Sequence, residues 1–188
     1  KVNTLINHIQ AYLYQKREWN PRWENAFTPA LCNRIDRNTG GIVIAAKNAE
    51  TLRIINDKIR DHELTKRYLC ITLGAPRPPA GEVENFLRKD EKKKQVFVFH
   101  KPVPGAKTAV TRYKTLQRRG ELALVEVELL TGRTHQIRAT MADMGCPLLG
   151  DGKYGNGEKN RGYGETRQAL YSYKLTFYLP TDAGILNY

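Results

Sequence analysis

Apolar residues recur four apart at Leu5, Ile9 and Leu13 in a stretch that is otherwise polar, so the spacing predicts a short amphipathic helix over Val2–Leu13. Residues 20–29, with Pro21 and Pro29, read as a loop, and the continuous apolar run GIVIAA (41–46) as a short buried strand. Asn48 then caps a second helix, with Glu50 in its first turn and Leu52, Ile55 and Ile59 as its apolar stripe. Past this helix the period shortens to two. Arg67–Leu73, Gly81–Leu87, Gln95–Phe99 and Lys107–Thr115 read as strands, with a loop over Gly74–Pro79. In 124–130, Val125, Val127 and Leu129 alternate with Glu126 and Glu128, the pattern of an antiparallel strand with one buried face. Thr134–Met144 has helical spacing with Thr134 as N-cap, and Gln168–Tyr178 is expected to be the last strand. Many antiparallel strands with two or three helices among them predict an α+β fold, a mostly antiparallel mixed sheet with flanking helices. There is no internal repeat and no long linker, so residues 1–188 read as one domain.

Composition narrows the function classes. With 40% hydrophobic and 27% charged residues the chain has the balance of a soluble globular protein. No run approaches the roughly 18 apolar residues of a membrane span, and the opening residues are too polar for a signal-peptide core. Three scattered cysteines without a CxxC pair argue against a disulfide framework and a zinc site. A cytoplasmic, metal-free monomer is the expectation. The net charge is +12 and unevenly placed: residues 88–119 carry 11 Lys and Arg against Asp90 and Glu91. A solvated surface is the plain reading of such a run. A cationic face also attracts polyanions, and for a cytoplasmic protein nucleic acid is the foremost of these. Lys92, Lys93 and Lys94 are its densest part.

Three segments could carry chemistry. In NRIDRNTGG (33–41), Asp36 sits between Arg34 and Arg37 ahead of paired glycines; flanking cations favour an ionised carboxylate, although a surface ion pair in a turn explains this motif as well. In LTKRYLCITLG (64–74), Lys66 and Arg67 precede Tyr68, an aromatic that could stack on a base or simply fill the core. In TGRTHQIRATMADMGCPLLGDGKYG (131–155), Arg133 and Arg138 bracket His135 and Gln136 at a helix N-terminus, a place suited to phosphate. Neither a metal cluster nor a nucleophile–base pair of Ser or Cys is present there.

Together these motifs resemble the RluA-type family of RNA pseudouridine synthases, over roughly residues 5–178. The family's His-Arg-Leu-Asp signature corresponds to Asn33–Asp36, followed by Thr39-Gly40-Gly41. Its Lys-x-Tyr strand corresponds to Lys66–Tyr68. Its Thr-Gly-Arg-Thr-His-Gln-Ile-Arg block and the Gly-x-Pro-Leu-x-Gly-Asp turn stand at 131–138 and 145–151, and KTAVTRY (107–113) is similar to its central strand. Asn33 and Ile35 replace the usual His and Leu, and Tyr171-Ser172 stand where His-Ala is common. The family's upstream strand with a Lys-Pro-x-Gly turn, and the small N-terminal RNA-binding module of some members, have no counterpart in these residues.

The resemblance implies a pseudouridine synthase sheet and the isomerisation of uridine to pseudouridine in structured RNA, ribosomal RNA ahead of transfer RNA, without a cofactor. It makes Asp36 the nucleophile or base, Arg138 the arginine that pairs with it, and Tyr68 the ring under the target uracil. Arg34 would line the space vacated by the extruded base or contact phosphate. Arg37, Lys66, Arg133, His135, Gln136 and the three lysines 92–94 are candidates for contacts to RNA. A noncatalytic RNA-binding protein on the same fold is the alternative.

Overall fold

The computed structural model describes residues 3–23, 26–181 and 184–187. Two compact units share the chain. The first comprises Lys1–Ile35, Val43–Leu64 and Phe177–Tyr188. It contains α1 (Leu5–Gln15), β1 (Ala30–Leu31), β3 (Ala45–Ala46), α2 (Ala49–Arg60) and the hairpin of β10 (Tyr178–Thr181) and β11 (Gly184–Asn187). The expected first helix is present, its Val2 end lying outside the described residues. Asn48 is the N-cap of α2, accepting the Thr51 amide at 2.7 Å, and Ile55 of the anticipated stripe is buried.

The second unit, Asp36–Ile42 with Thr65–Thr176, holds a seven-stranded sheet. Its strands are β2 (Gly40–Gly41), β4 (Thr65–Leu73), β5 (Ala80–Asp90), β6 (Gln95–Phe99), β7 (Lys107–Arg119), β8 (Leu122–Leu129) and β9 (Leu170–Thr176). The spatial order is β2-β9-β4-β8-β7-β5-β6, antiparallel throughout except for the parallel pair β2–β9. Helices α3 (Gln136–Asp143) and α4 (Gly157–Gly162) complete it.

Alternation gives the sheet two unlike faces. Tyr68, Val127 and Tyr113 lie in one row and are buried, as are Cys70, Val125, Ala109, Leu87 and Val96 beside them. α3 covers this face: Ala139 packs with Leu87, Val96 and Ala109, and the Asn85 amide donates to the Thr140 hydroxyl at 3.3 Å. On the other face the register sets Arg67, Glu128, Arg112 and Glu82 side by side across four strands. They form a ladder of ion pairs: Arg67–Glu128 at 3.0 Å, Arg112–Glu128 at 3.2 Å and Arg112–Glu82 at 2.8 Å.

Three sequence expectations require correction. The run 41–46 is not one buried strand, because its backbone bonds go to different partners: β2 pairs with β9, β3 with β1, and Ile42 is exposed. Thr134 is not the N-cap of α3. That position is taken by His135, in the left-handed region at φ 53°, ψ 22°. The strand foreseen at 168–178 spans 170–176 and is not the last, since β10 and β11 follow it. The short helix α4, capped by Asn156 through the amides of Glu158 and Lys159, was not anticipated.

Candidate active site

Asp36 stands in a tight turn, closed by the Thr39 amide on its own carbonyl at 3.0 Å. This turn is fastened to β9. The Gln168 side-chain amide donates to the Arg37 carbonyl and the Thr39 hydroxyl, and the Ile42 amide donates to the Ser172 carbonyl at 2.9 Å. Gly41 is required here: its φ is +116°, and a Cβ would lie 2.1 Å from the Ser172 carbonyl oxygen. The paired glycines thus let the backbone after Asp36 lie flat against β9.

The arginine facing Asp36 comes from α3. Arg138 Nη1 lies 3.7 Å from Asp36 Oδ2, but Arg138 makes its closest bonds elsewhere. Its Nε and Nη2 fork onto Asp151 at 2.7 and 2.9 Å. Asp151 is fully buried at its side chain and also accepts the amides of Lys153 (2.8 Å) and Tyr154 (3.0 Å). Burial works to raise the Asp151 carboxyl. The Arg138 fork and the two amides outweigh it and hold the group below the ordinary aspartate range. Burial likewise opposes the charge on Arg138, which Asp151 and Asp36 restore.

Two carboxylates therefore share one guanidinium. Asp151 neutralises Arg138 and has no exposed surface, whereas the Asp36 side chain keeps 20% of its surface open. The geometry leaves Asp36 as the carboxylate with spare negative charge and access, aimed by an arginine that is itself held from behind.

Around this triad stand aromatic and basic groups. Tyr68, on β4, is 7% exposed. Burial pushes its phenol up, Ser172 acts in the opposite sense, and the Asp36 charge adds to the rise. Lys66, two residues earlier and so on the same face, is half-buried, and desolvation lowers its ammonium. The Tyr154 ring lies under the Arg138 guanidinium at 5.3 Å and meets His135 edge-on.

The remaining predicted residues separate into groups. Gln136 is not available to RNA: it is 2% exposed, accepts from the Thr131 hydroxyl and the Arg133 amide, and donates to the Val110 carbonyl and the Thr111 hydroxyl. Every site of its amide is thereby used to fix the loop that launches α3. Arg133 is exposed, with Nε on the Thr108 carbonyl at 2.8 Å. Lys92, Lys93 and Lys94 are exposed at the β5–β6 turn, whose backbone is shaped by Asp90 accepting the amides of Lys92 and Lys93. Arg37 is exposed in the Asp36 turn, and Arg34, also exposed, belongs to the first unit. Asp151 and Tyr154 lie within or just past a motif noted in the sequence, but neither was singled out as a site residue. The available signal was an Asp followed two and three residues later by free amides in GDGKYG, which marks a turn and gives no hint of an arginine partner 13 positions earlier. Among the described residues no three His, Cys, Asp or Glu side chains gather as metal ligands, and no helix is long and apolar enough to cross a membrane.

The covered side of the mixed sheet thus carries an aspartate–arginine–aspartate centre beside a buried tyrosine. The RNA pseudouridylate synthase family model matches residues 7–143, and the chain belongs to that family. It is 33% identical over 174 residues to ribosomal large subunit pseudouridine synthase D of Borreliella burgdorferi, covering 93% of this chain and 50% of that protein. It is 34% identical over 178 residues to an uncharacterized RNA pseudouridine synthase of Mycoplasma genitalium, covering 93% and 53%. The chain thus spans about half the length of these curated relatives. Among solved structures it is similar to human RNA pseudouridylate synthase domain containing 4, with TM-score 0.74 at 23% identity over 99% of this chain and 79% of that one. The fold is that of the pseudouridylate synthase domains.

Proposed function

We propose that the chain isomerises specific uridines to pseudouridine in structured RNA, with Asp36 as the carboxylate that acts on the nucleotide. The reaction breaks the N1–C1′ bond, joins C1′ to C5, returns a proton to N1 and releases the one on C5. Atoms and electrons balance within the nucleotide, so no cofactor is called for. The observation that carries the reading is the unequal sharing of Arg138: a carboxylate fully tied by its arginine would be a poor nucleophile or base, and Asp151 relieves Asp36 of that role. A uridine inside a helix hides C1′ and C5, so the target must be flipped out. Arg138 then orients Asp36, and Tyr68 supports the base from β4. Lys92, Lys93 and Lys94 contribute phosphate contacts, which give affinity without sequence readout. The relative named for the large ribosomal subunit favours ribosomal over transfer RNA as substrate.

The test is incubation with unmodified ribosomal and transfer RNA transcripts, with pseudouridine read as carbodiimide-dependent stops in primer extension. A stop is expected with the native protein and none with Asp36→Ala, whose RNA affinity should stay within a few-fold. Turnover by Asp36→Ala would sink the assignment.

A further inference from the structure

The Tyr154 side chain touches both the ion triad and the basic hairpin. Its hydroxyl accepts the Val96 amide of β6 at 2.8 Å and lies 2.8 Å from His135 Nδ1. The neighbouring Lys153 ammonium donates to the Lys94 carbonyl at the hairpin tip at 2.6 Å. The phenol has one proton to give, and among the described residues His135 Nδ1 is the acceptor in reach. A phenol that accepts from Val96 and donates to His135 requires Nδ1 unprotonated and puts the ring proton on Nε2, which bonds to none of the described residues. His135 is half-buried, and it adopts a left-handed backbone conformation that is costly for a residue with a side chain and that concentrates at functional positions.

We propose that Tyr154 is a positioning residue that holds His135 as its Nε2–H tautomer, so that the imidazole offers one fixed hydrogen-bond donor to an acceptor oxygen of the bound nucleotide. The electrostatic surroundings agree. Burial lowers the His135 pKa, Asp36 and Asp151 work to raise it, and Arg138 and Lys153 work to lower it, with a net displacement toward the neutral ring. A neutral ring with a defined tautomer donates in one direction only. The same phenol packs its face on Arg138, so donor and ion triad share one rigid support.

The proposal rests on the synthase reading for the identity of the ligand, but the tautomer does not. Nitrogen-15 NMR of the imidazole in the native protein, without RNA, should show Nδ1 unprotonated and Nε2 protonated, and Tyr154→Phe should release His135 to a mixture of tautomers. With ribosomal RNA transcripts, Tyr154→Phe should lower kcat/KM about tenfold. His135→Gln, which keeps an N–H near the Nε2 position, should retain more activity than His135→Ala. The double variant Tyr154→Phe/His135→Ala should be no slower than His135→Ala alone, because Tyr154 acts through His135. A native Nδ1–H tautomer, or losses that multiply in the double variant, would overturn the proposal. If the native protein modifies no RNA, the synthase reading fails, and the tautomer measurement alone decides this one.

Discussion

Both faces of the seven-stranded sheet set arginines between carboxylates, with opposite consequences. On the open face, Glu82, Arg112, Glu128 and Arg67 alternate in sign and balance in charge, and Arg112 and Glu82 are each about half exposed. Water already solvates such groups, so their pairing adds little to stability. On the covered face, Asp36, Arg138 and Asp151 carry one negative charge too many, and Arg138 and Asp151 are almost out of solvent. There the desolvation cost is large and each partner is needed to offset it. The open ladder tolerates loss of a rung. The buried triad is expected not to, and its imbalance leaves the Asp36 carboxylate the less tied and more accessible of the two.

Substitutions should expose this contrast in graded fashion. Asp151→Ala strands a buried guanidinium and is expected to cost about 3–5 kcal/mol in urea-induced unfolding. A loss below about 1 kcal/mol would place the triad on a level with the surface ladder. The pH dependence sharpens the point. The folded-state carboxyl of Asp151 lies below its unfolded value, so its contribution is fully present above about pH 4 and disappears as pH falls toward the lowered value. The gap between native protein and Asp151→Ala should accordingly narrow in acid, which denaturation at a series of pH values will show. Replacing Lys92, Lys93 and Lys94 by Ala should reduce the slope of log affinity for RNA against log salt by about 2 to 3, measured by filter binding. An unchanged slope would put the hairpin away from the RNA. The smallest effect belongs to Arg112→Ala, expected at less than about 1 kcal/mol although it removes two ion pairs.

Legibility followed the same divide between local and distant causes. β8 was readable because Val125, Val127 and Leu129 alternate with Glu126 and Glu128, and Val125 and Val127 are buried on the covered face. α2 was readable because Asn48 and its apolar stripe lie within one helix. The run 41–46 misled, since an unbroken apolar stretch does not reveal that its two ends pair with different strands. In the site, Asp36, Tyr68 and Arg138 could be nominated from motifs that resemble a family. Asp151, the last residue of another such motif, and Tyr154 just past it were not singled out, because their roles arise only when a turn closes on α3. Gln136 was nominated for the wrong duty: its position beside His135 is local, but its four hydrogen bonds depend on β7 and the loop over Thr131–Arg133.

The fastening of the Asp36 turn also dictates when its parts can come together. Gln168 reaches back across 131 positions to the Arg37 carbonyl, and Ser172 receives the backbone just after Gly41. A nascent chain therefore displays its aspartate early and secures it late, after the β-meander between has closed a loop of high entropic cost. Until residues 168–172 are made, the Asp36 turn lacks the partners that fasten it. Topology thus sets the order: the last strand of the sheet to be synthesised is the one that fastens the Asp36 turn.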